Sequence, residues 1–231
     1  LEFSAGANPL ADYLGESAEN HLVRAVANAQ AMLRSGVTTA RDCGCSWGAL
    51  ALAEPATWRL AGAPRLLMCG PPLTVTAGHL HWMGGEADSA EELVKQVRLL
   101  RKRGATSIKI MATGGQMTPG SGADTEAYST EQMGAAVREA RRGGLSTVAH
   151  CLTAEGMVRA MEAGVDSVEH CAFFRREARG WLERVYEPRA AERFRERRQL
   201  FMMGLSAACH RLDAVRGPAP VRAASAQEAF W

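Results

Sequence analysis

The sequence predicts a mixed α/β chain that forms an incomplete (β/α)8 TIM barrel, about strands two to seven, and three observations predict it. Segments with helical apolar spacing alternate with short apolar runs of strand length. Glycine follows the well-defined helical segments, where a left-handed residue ends the helix and turns the chain toward the next strand. The strand-like runs start about every 33 residues, close to the ~31 expected when ~250 residues are shared among eight strand–helix units. At that spacing 231 residues hold about seven units, one or two short of closure.

The first unit is a helix over residues 18–35, Gly36, and a strand over 37–42. A second strand, over 65–70, follows a less regular helical stretch. Residues 89–103 show the pattern most fully. Ala90, Leu93, Val94, Val97 and Leu100 share one helical face, Ser89 and Glu92 make a capping box, and Gly104 ends the helix. Glu91 and Glu92 lie at the positive end of the helix dipole, and Arg101, Lys102 and Arg103 at the negative end. This helix leads into Ser107-Ile108-Lys109-Ile110-Met111-Ala112, a buried strand ended by Thr113-Gly114-Gly115. A helix over 130–142 with Gly143-Gly144 precedes a strand over 146–151, and a helix over 154–163 with Gly164 precedes a strand over 167–173. A sixth strand is expected over 200–206. The partial barrel thus occupies residues 1–206, and 207–231, with Gly217-Pro218-Ala219-Pro220, read as an irregular tail.

Composition excludes several function classes. With 47% hydrophobic residues, disorder, a coiled coil and a collagen-like repeat are ruled out. A net charge of +2 gives the whole chain no electrostatic reason to seek nucleic acid or an anionic membrane. The one basic stretch, 175–198, has nine Arg interleaved with five Glu and few aromatics, which reads as a solvated helix face and not a nucleic-acid site. No run of 18 apolar residues is present to span a bilayer, and the N-terminal residues lack the pattern of a signal peptide, so a cytoplasmic location is expected. The six cysteines do not resemble a disulfide framework and read as reduced thiols, four of them in apolar strand-like runs. The first residue is not Met, so the chain is either processed or begins partway through a longer one.

Chemistry concentrates on three consecutive strands. Of only three lysines, Lys95 and Lys102 lie on the 89–103 helix, while Lys109 sits in the middle of an apolar strand. Strand alternation turns Ile108 and Ile110 toward the covering helices and Lys109 into the barrel. A buried ammonium is costly, so Lys109 has either an ion-pair partner or a changed protonation state. His150 and His170 end the next two strands, and in a barrel the C-terminal strand ends form the active-site mouth. A single such histidine is commonly a hydrogen-bonded core residue. Two histidines and a buried lysine at matching positions point instead to a metal site, because imidazole is a common ligand and a lysine that gains CO2 becomes a carbamate able to bridge two metals. His79-Leu80-His81 could present two imidazoles on one side of an extended segment, but its place in the loop after the 65–70 strand argues against a metal pair. Thr113-Gly114-Gly115 lacks the spacing of a phosphate loop and reads as room for backbone near the site.

The stretches Gly36-Val37-Thr38-Thr39-Ala40-Arg41-Asp42, Ile108-Lys109-Ile110-Met111-Ala112-Thr113-Gly114-Gly115, Ala149-His150-Cys151-Leu152-Thr153-Ala154-Glu155-Gly156-Met157 and Ala163-Gly164-Val165-Asp166-Ser167-Val168-Glu169-His170-Cys171 together resemble the amidohydrolase superfamily. Within it the likeness is to the imidazolonepropionase-like and prolidase-like branch of metal-dependent hydrolases, over residues 1 to about 174. The resemblance implies two divalent metals, zinc in the usual case, bridged by a carboxylated Lys109 that serves the catalytic centre. It also implies that His150 and His170 bind the second metal and that a loop histidine, His79 or His81, faces substrate. The implied reaction is hydrolysis of a C–N bond through a metal-bridging hydroxide, on a small-molecule amide, a dipeptide-like compound or a cyclic amide. Two family elements are missing: a strand-one His-x-His pair would fall before residue 1 and a strand-eight Asp after Trp231. The expectation is therefore a fragment, inactive alone, of a parent that carries two zinc ions, with no nucleic acid or membrane as partner and homo-oligomer formation left open. The alternative is a non-catalytic truncated barrel acting only as a folding or interaction unit, since an open barrel exposes two strand edges.

Overall fold

Helix caps written into the sequence set the rhythm of the fold. In the computed structural model, which describes residues 1–173, Ser17, Ser89, Ser129 and Thr153 each accept a hydrogen bond from a backbone N–H of the helix that follows. Ser89 with Glu92 and Ser129 with Gln132 complete reciprocal capping boxes. The elements run α1 (Pro9–Gly15), α2 (Ala18–Arg34), β1 (Thr39–Asp42), α3 (Pro55–Leu60), β2 (Arg65–Met68), α4 (Ala90–Lys102), β3 (Ser107–Met111), α5 (Thr130–Arg142), β4 (Ser146–Thr153), α6 (Ala154–Glu162) and β5 (Ser167–Phe173). Short 3-10 turns lie at Ala49–Ala53 and His81–Met83.

All strand pairs are parallel: β1 with β2, and β3 with β4 and β5. Leu73 joins the two groups. Its N–H donates to the Lys109 carbonyl at 2.8 Å and its carbonyl accepts from Met111 at 2.8 Å, while Thr106 N–H reaches the Met68 carbonyl at 2.9 Å. Five strands therefore succeed one another in chain order, each returning through a helix, as in the wall of a parallel barrel. The register sets Met111 opposite His150, His150 opposite Glu169, and Cys151 opposite His170.

The core lies between this sheet and the helices. Ile108 and Ile110 are fully buried in one cluster with Leu93, Val97 and Leu100 of α4 and Met133, Val137 and Ala140 of α5. Each of the large aliphatic side chains there contributes about 1.5–3 kcal/mol by leaving water. The other face of β3 is left to Lys109, as the alternation of strand side chains requires.

Several boundaries differ from the sequence reading, each for a local reason. β1 starts at Thr39 because the Val37 N–H is used to close α2 on the Met32 carbonyl, with Gly36 at φ 94°. β2 stops short of Gly70, which takes φ 73°. β4 runs on to Thr153, past a register shift against β5. Helix α1 was not anticipated, although its Asn8 cap and Pro9 at the first helical position are the usual signals of a helix start. The stretch before β2 divides into the 3-10 turn and α3. The expected strand over 200–206, the basic stretch 175–198 and the boundary at 206 lie outside the described residues. Among the described residues no helix is long and apolar enough to cross a membrane.

Candidate functional site

Strand β3 is buried along its whole length, and Lys109 at its centre is only 3% exposed. Burial pushes its amine below the usual lysine range, while Cys43, Glu169, Cys69 and Cys151 pull the other way. The one carboxylate among these influences, Glu169, is already engaged: Arg41 Nη2 donates to Glu169 Oε1 at 2.8 Å. Lys109 thus sits in the barrel interior with its cationic form disfavoured.

His150 lies inside β4, within its buried stretch, and not at the strand's end as the sequence predicted, because β4 continues to Thr153. Its Nε2 lies 3.0 Å from the Gly114 carbonyl oxygen, which can only accept, so Nε2 carries the hydrogen and Nδ1 keeps the lone pair. The ring of His170, on β5, meets the ring of His150 edge-on at 4.7 Å between centroids. His170 has φ 73°, a left-handed conformation that is uncommon outside glycine and concentrates at functional sites. This break in the strand lets the consecutive residues Glu169 and His170 both act on Lys109, which a regular strand would have turned to opposite faces.

His79 completes the cluster from the loop after β2. Its ring lies 4.7 Å from that of His150, and its Nδ1 is 2.9 Å from the Thr118 hydroxyl, which also accepts the Leu80 N–H at 3.0 Å. Any Cβ at Gly115 would overlap the His79 ring, and one at Gly114 would overlap the Gly122 carbonyl. The two glycines therefore provide the close backbone approach that their position suggested. Burial, followed by the charge of Lys109, holds His79 and His170 down to about 4, with His170 acting on His79 as well. His150 is held well below its usual value by burial, Lys109 and the other two rings. The imidazoles are neutral at neutral pH, the form in which a histidine binds a metal or accepts a proton.

His81 lies elsewhere. Leu80 adopts a left-handed conformation and His81 opens a 3-10 turn, so the two-residue relation of an extended segment is lost. Its side chain is 40% exposed, with Nδ1 4.0 Å from Glu86 and its ring edge-on to Trp82. The structure thus brings Lys109, His79, His150 and His170 together and leaves His81 at the surface. Among the described residues no three His, Cys, Asp or Glu side chains are grouped so as to hold a metal ion; the grouping is of histidines with a lysine. Sequence reasoning missed the Arg41–Glu169 pair and the Gly114 and Thr118 partners of the histidines. Arg41 and Glu169 stand in the quoted motifs, but nothing in strand periodicity announces the left-handed conformation that brings His170 to the face its neighbour Glu169 already takes.

Known proteins share the sequence pattern and the fold of this chain. Residues 2–195 match the family described as "Amidohydrolase family". Ochratoxinase from Aspergillus niger is 35% identical over 96 residues, which are 40% of this chain and 20% of that protein. A solved Xaa-Pro dipeptidase with bound methionine in the active site superposes with a TM-score of 0.69 at 26% identity, over 88% of this chain and 52% of the other. A prolidase complexed with N-methylphosphonate-L-proline gives a TM-score of 0.69 at 26% identity, over 94% and 55%. The chain spans about half the length of these solved relatives.

Proposed function

This chain belongs to the amidohydrolase family, and from that premise we propose that its protein hydrolyses the C–N bond of a small amide or dipeptide-like substrate at a divalent-metal site held by Lys109, His150 and His170. The observation that carries the reading is the convergence of a buried lysine and of histidines from the two following strands on one side of a parallel sheet. The residues fit a metal. His150 keeps its Nδ1 lone pair because Gly114 fixes the other nitrogen, the hydrogen bond by which proteins commonly orient ligating histidines. All three imidazoles are neutral, so no proton need leave them for a cation to bind. Burial eases the loss of the Lys109 proton, and the amine, once neutral, can attack CO2 and release a proton, leaving a carbamate anion. Divalent metals, two zinc ions in the reading favoured here, would polarise the scissile carbonyl and acidify water.

The remaining groups orient and select. Thr118 accepts the Leu80 N–H and shares a hydrogen bond with His79 Nδ1, which orients the ring so that Nε2 can meet a polar substrate atom. A dipeptide-like substrate agrees with the dipeptidase and prolidase among the structural relatives. Because the chain covers about half of those proteins, the activity is assigned to a polypeptide long enough to close the barrel. Turnover of Xaa-Pro dipeptides and N-acyl amino acids by such an extended chain tests the reading. The Lys109→Ala variant should lose activity, and a short-chain carboxylic acid that replaces the carbamate should restore part of it. Full activity in Lys109→Ala would assign the chemistry to other residues.

A further inference from the structure

We propose that Cys43 and Cys69 form a dithiol that peroxide converts to a disulfide across the C-terminal ends of β1 and β2. The two strands pair in parallel with Asp42 opposite Met68. Just past that last pair, Cys69 N–H donates to the Asp42 carbonyl at 3.1 Å, which holds the peptide that leads into Cys43 beside Cys69. Neighbouring strands lie about 4.8 Å apart, inside the ~4.4–6.8 Å range of Cα separations that a disulfide spans. Each thiol shifts the titration of the other, and Cys69 Sγ lies 2.9 Å from the Ser107 hydroxyl on β3.

The pair is asymmetric in the way that a dithiol oxidised by peroxide requires. Cys43 is part-exposed, whereas Cys69 is fully buried. The contact with Cys69, aided by Lys109 and Arg41, lowers the Cys43 thiol to about 7, and the same contact with burial raises Cys69. Cys43 is therefore the attacking thiol and Cys69 the resolving one. The Cys43 sulfur attacks one oxygen of hydrogen peroxide, the O–O bond breaks, and Cys43 becomes a sulfenic acid as one water leaves. The Cys69 sulfur then attacks the sulfenic sulfur, the S–S bond forms, and a second water carries away the oxygen. Two thiols are oxidised and one peroxide is reduced to two waters. Cys45, equally close in sequence, is fully buried, and burial raises its thiol well above the ordinary value.

The test is peptide mapping of the native 231-residue chain after hydrogen peroxide, with alkylation of the remaining thiols and a parallel sample treated with reductant. The expected result is the loss of two alkylatable thiols and a Cys43–Cys69 cross-linked peptide that reductant releases. In Cys69→Ser, Cys43 should stop at a sulfenic acid that dimedone traps. In Cys43→Ser, Cys69 should remain alkylatable once the chain is unfolded. Cys43 and Cys69 both alkylatable in wild type after peroxide has oxidised exposed methionines, or a cross-link that joins a different pair, would overturn the proposal. So would Cys69 oxidising in Cys43→Ser as fast as Cys43 does in Cys69→Ser.

Discussion

Gly115 shows how closely single residues govern the site. Its backbone lies against the His79 ring, and Gly115→Ala should displace that ring at a cost of about 1–3 kcal/mol, as overpacking of a close contact does. Urea unfolding measures the loss, and a stability equal to wild type would show that the ring moves aside freely. His79 itself makes stability depend on pH. Its pKa is near 6.5 in the unfolded chain and about 4 in the folded one, so between these values the unfolded chain binds more protons. The His79 contribution to the stability of the metal-free chain should therefore be level above about pH 6.5 and fall as the pH drops toward 4, by roughly 3 kcal/mol. Denaturant midpoints across that range check the sign, and in His79→Gln the slope should be reduced. At this scale the inward faces of Lys109 and His150 were legible because strand alternation fixes which face a residue takes, whereas the turn of His170 depends on its left-handed backbone. The separate fates of His79 and His81 were not, because they depend on the left-handed Leu80 and on Thr118, far along the chain.

Among the elements, α4 was read nearly to the residue. Its start is a reciprocal side-chain cap, its buried stripe of Leu93, Val97 and Leu100 follows the helical period, and its end is a glycine at φ 89°. Ser89→Ala should cost about 1 kcal/mol by removing the cap, and Leu93→Ala about 2–5 kcal/mol by leaving a cavity beneath β3. Thermal unfolding should rank the two in that order, and the reverse order would mean that α4 is not anchored through this face. Strand ends were less legible than helix ends. Whether Val37 joins the sheet or closes α2 is decided by one hydrogen bond to Met32, and the lengthening of β4 to Thr153 depends on a register shift shared with β5. Neither leaves a mark in the hydrophobic pattern.

Across the whole molecule, five parallel strands bring β1 and β5 close enough for Arg41 to reach Glu169, 128 residues away in sequence. About a third of the Arg41 side chain is exposed, so the pair is expected to add little stability; Glu169→Gln should change the unfolding free energy by less than about 1 kcal/mol. A loss of several kcal/mol would show that the pair holds the curved sheet together. The barrel class could be read from the repeat of helix, glycine and strand, because each unit carries its own caps and its own apolar face. What binds the units into a site is the set of contacts between strands far apart in sequence, and these appear only when the sheet is built. A divalent-metal site formed by Lys109, His150 and His170 is tested most directly by calorimetric titration of zinc into the metal-free 231-residue chain. The result expected is binding that falls at least about tenfold when His150 and His170 are both replaced by Ala. Zinc affinity unchanged by that double replacement would contradict it.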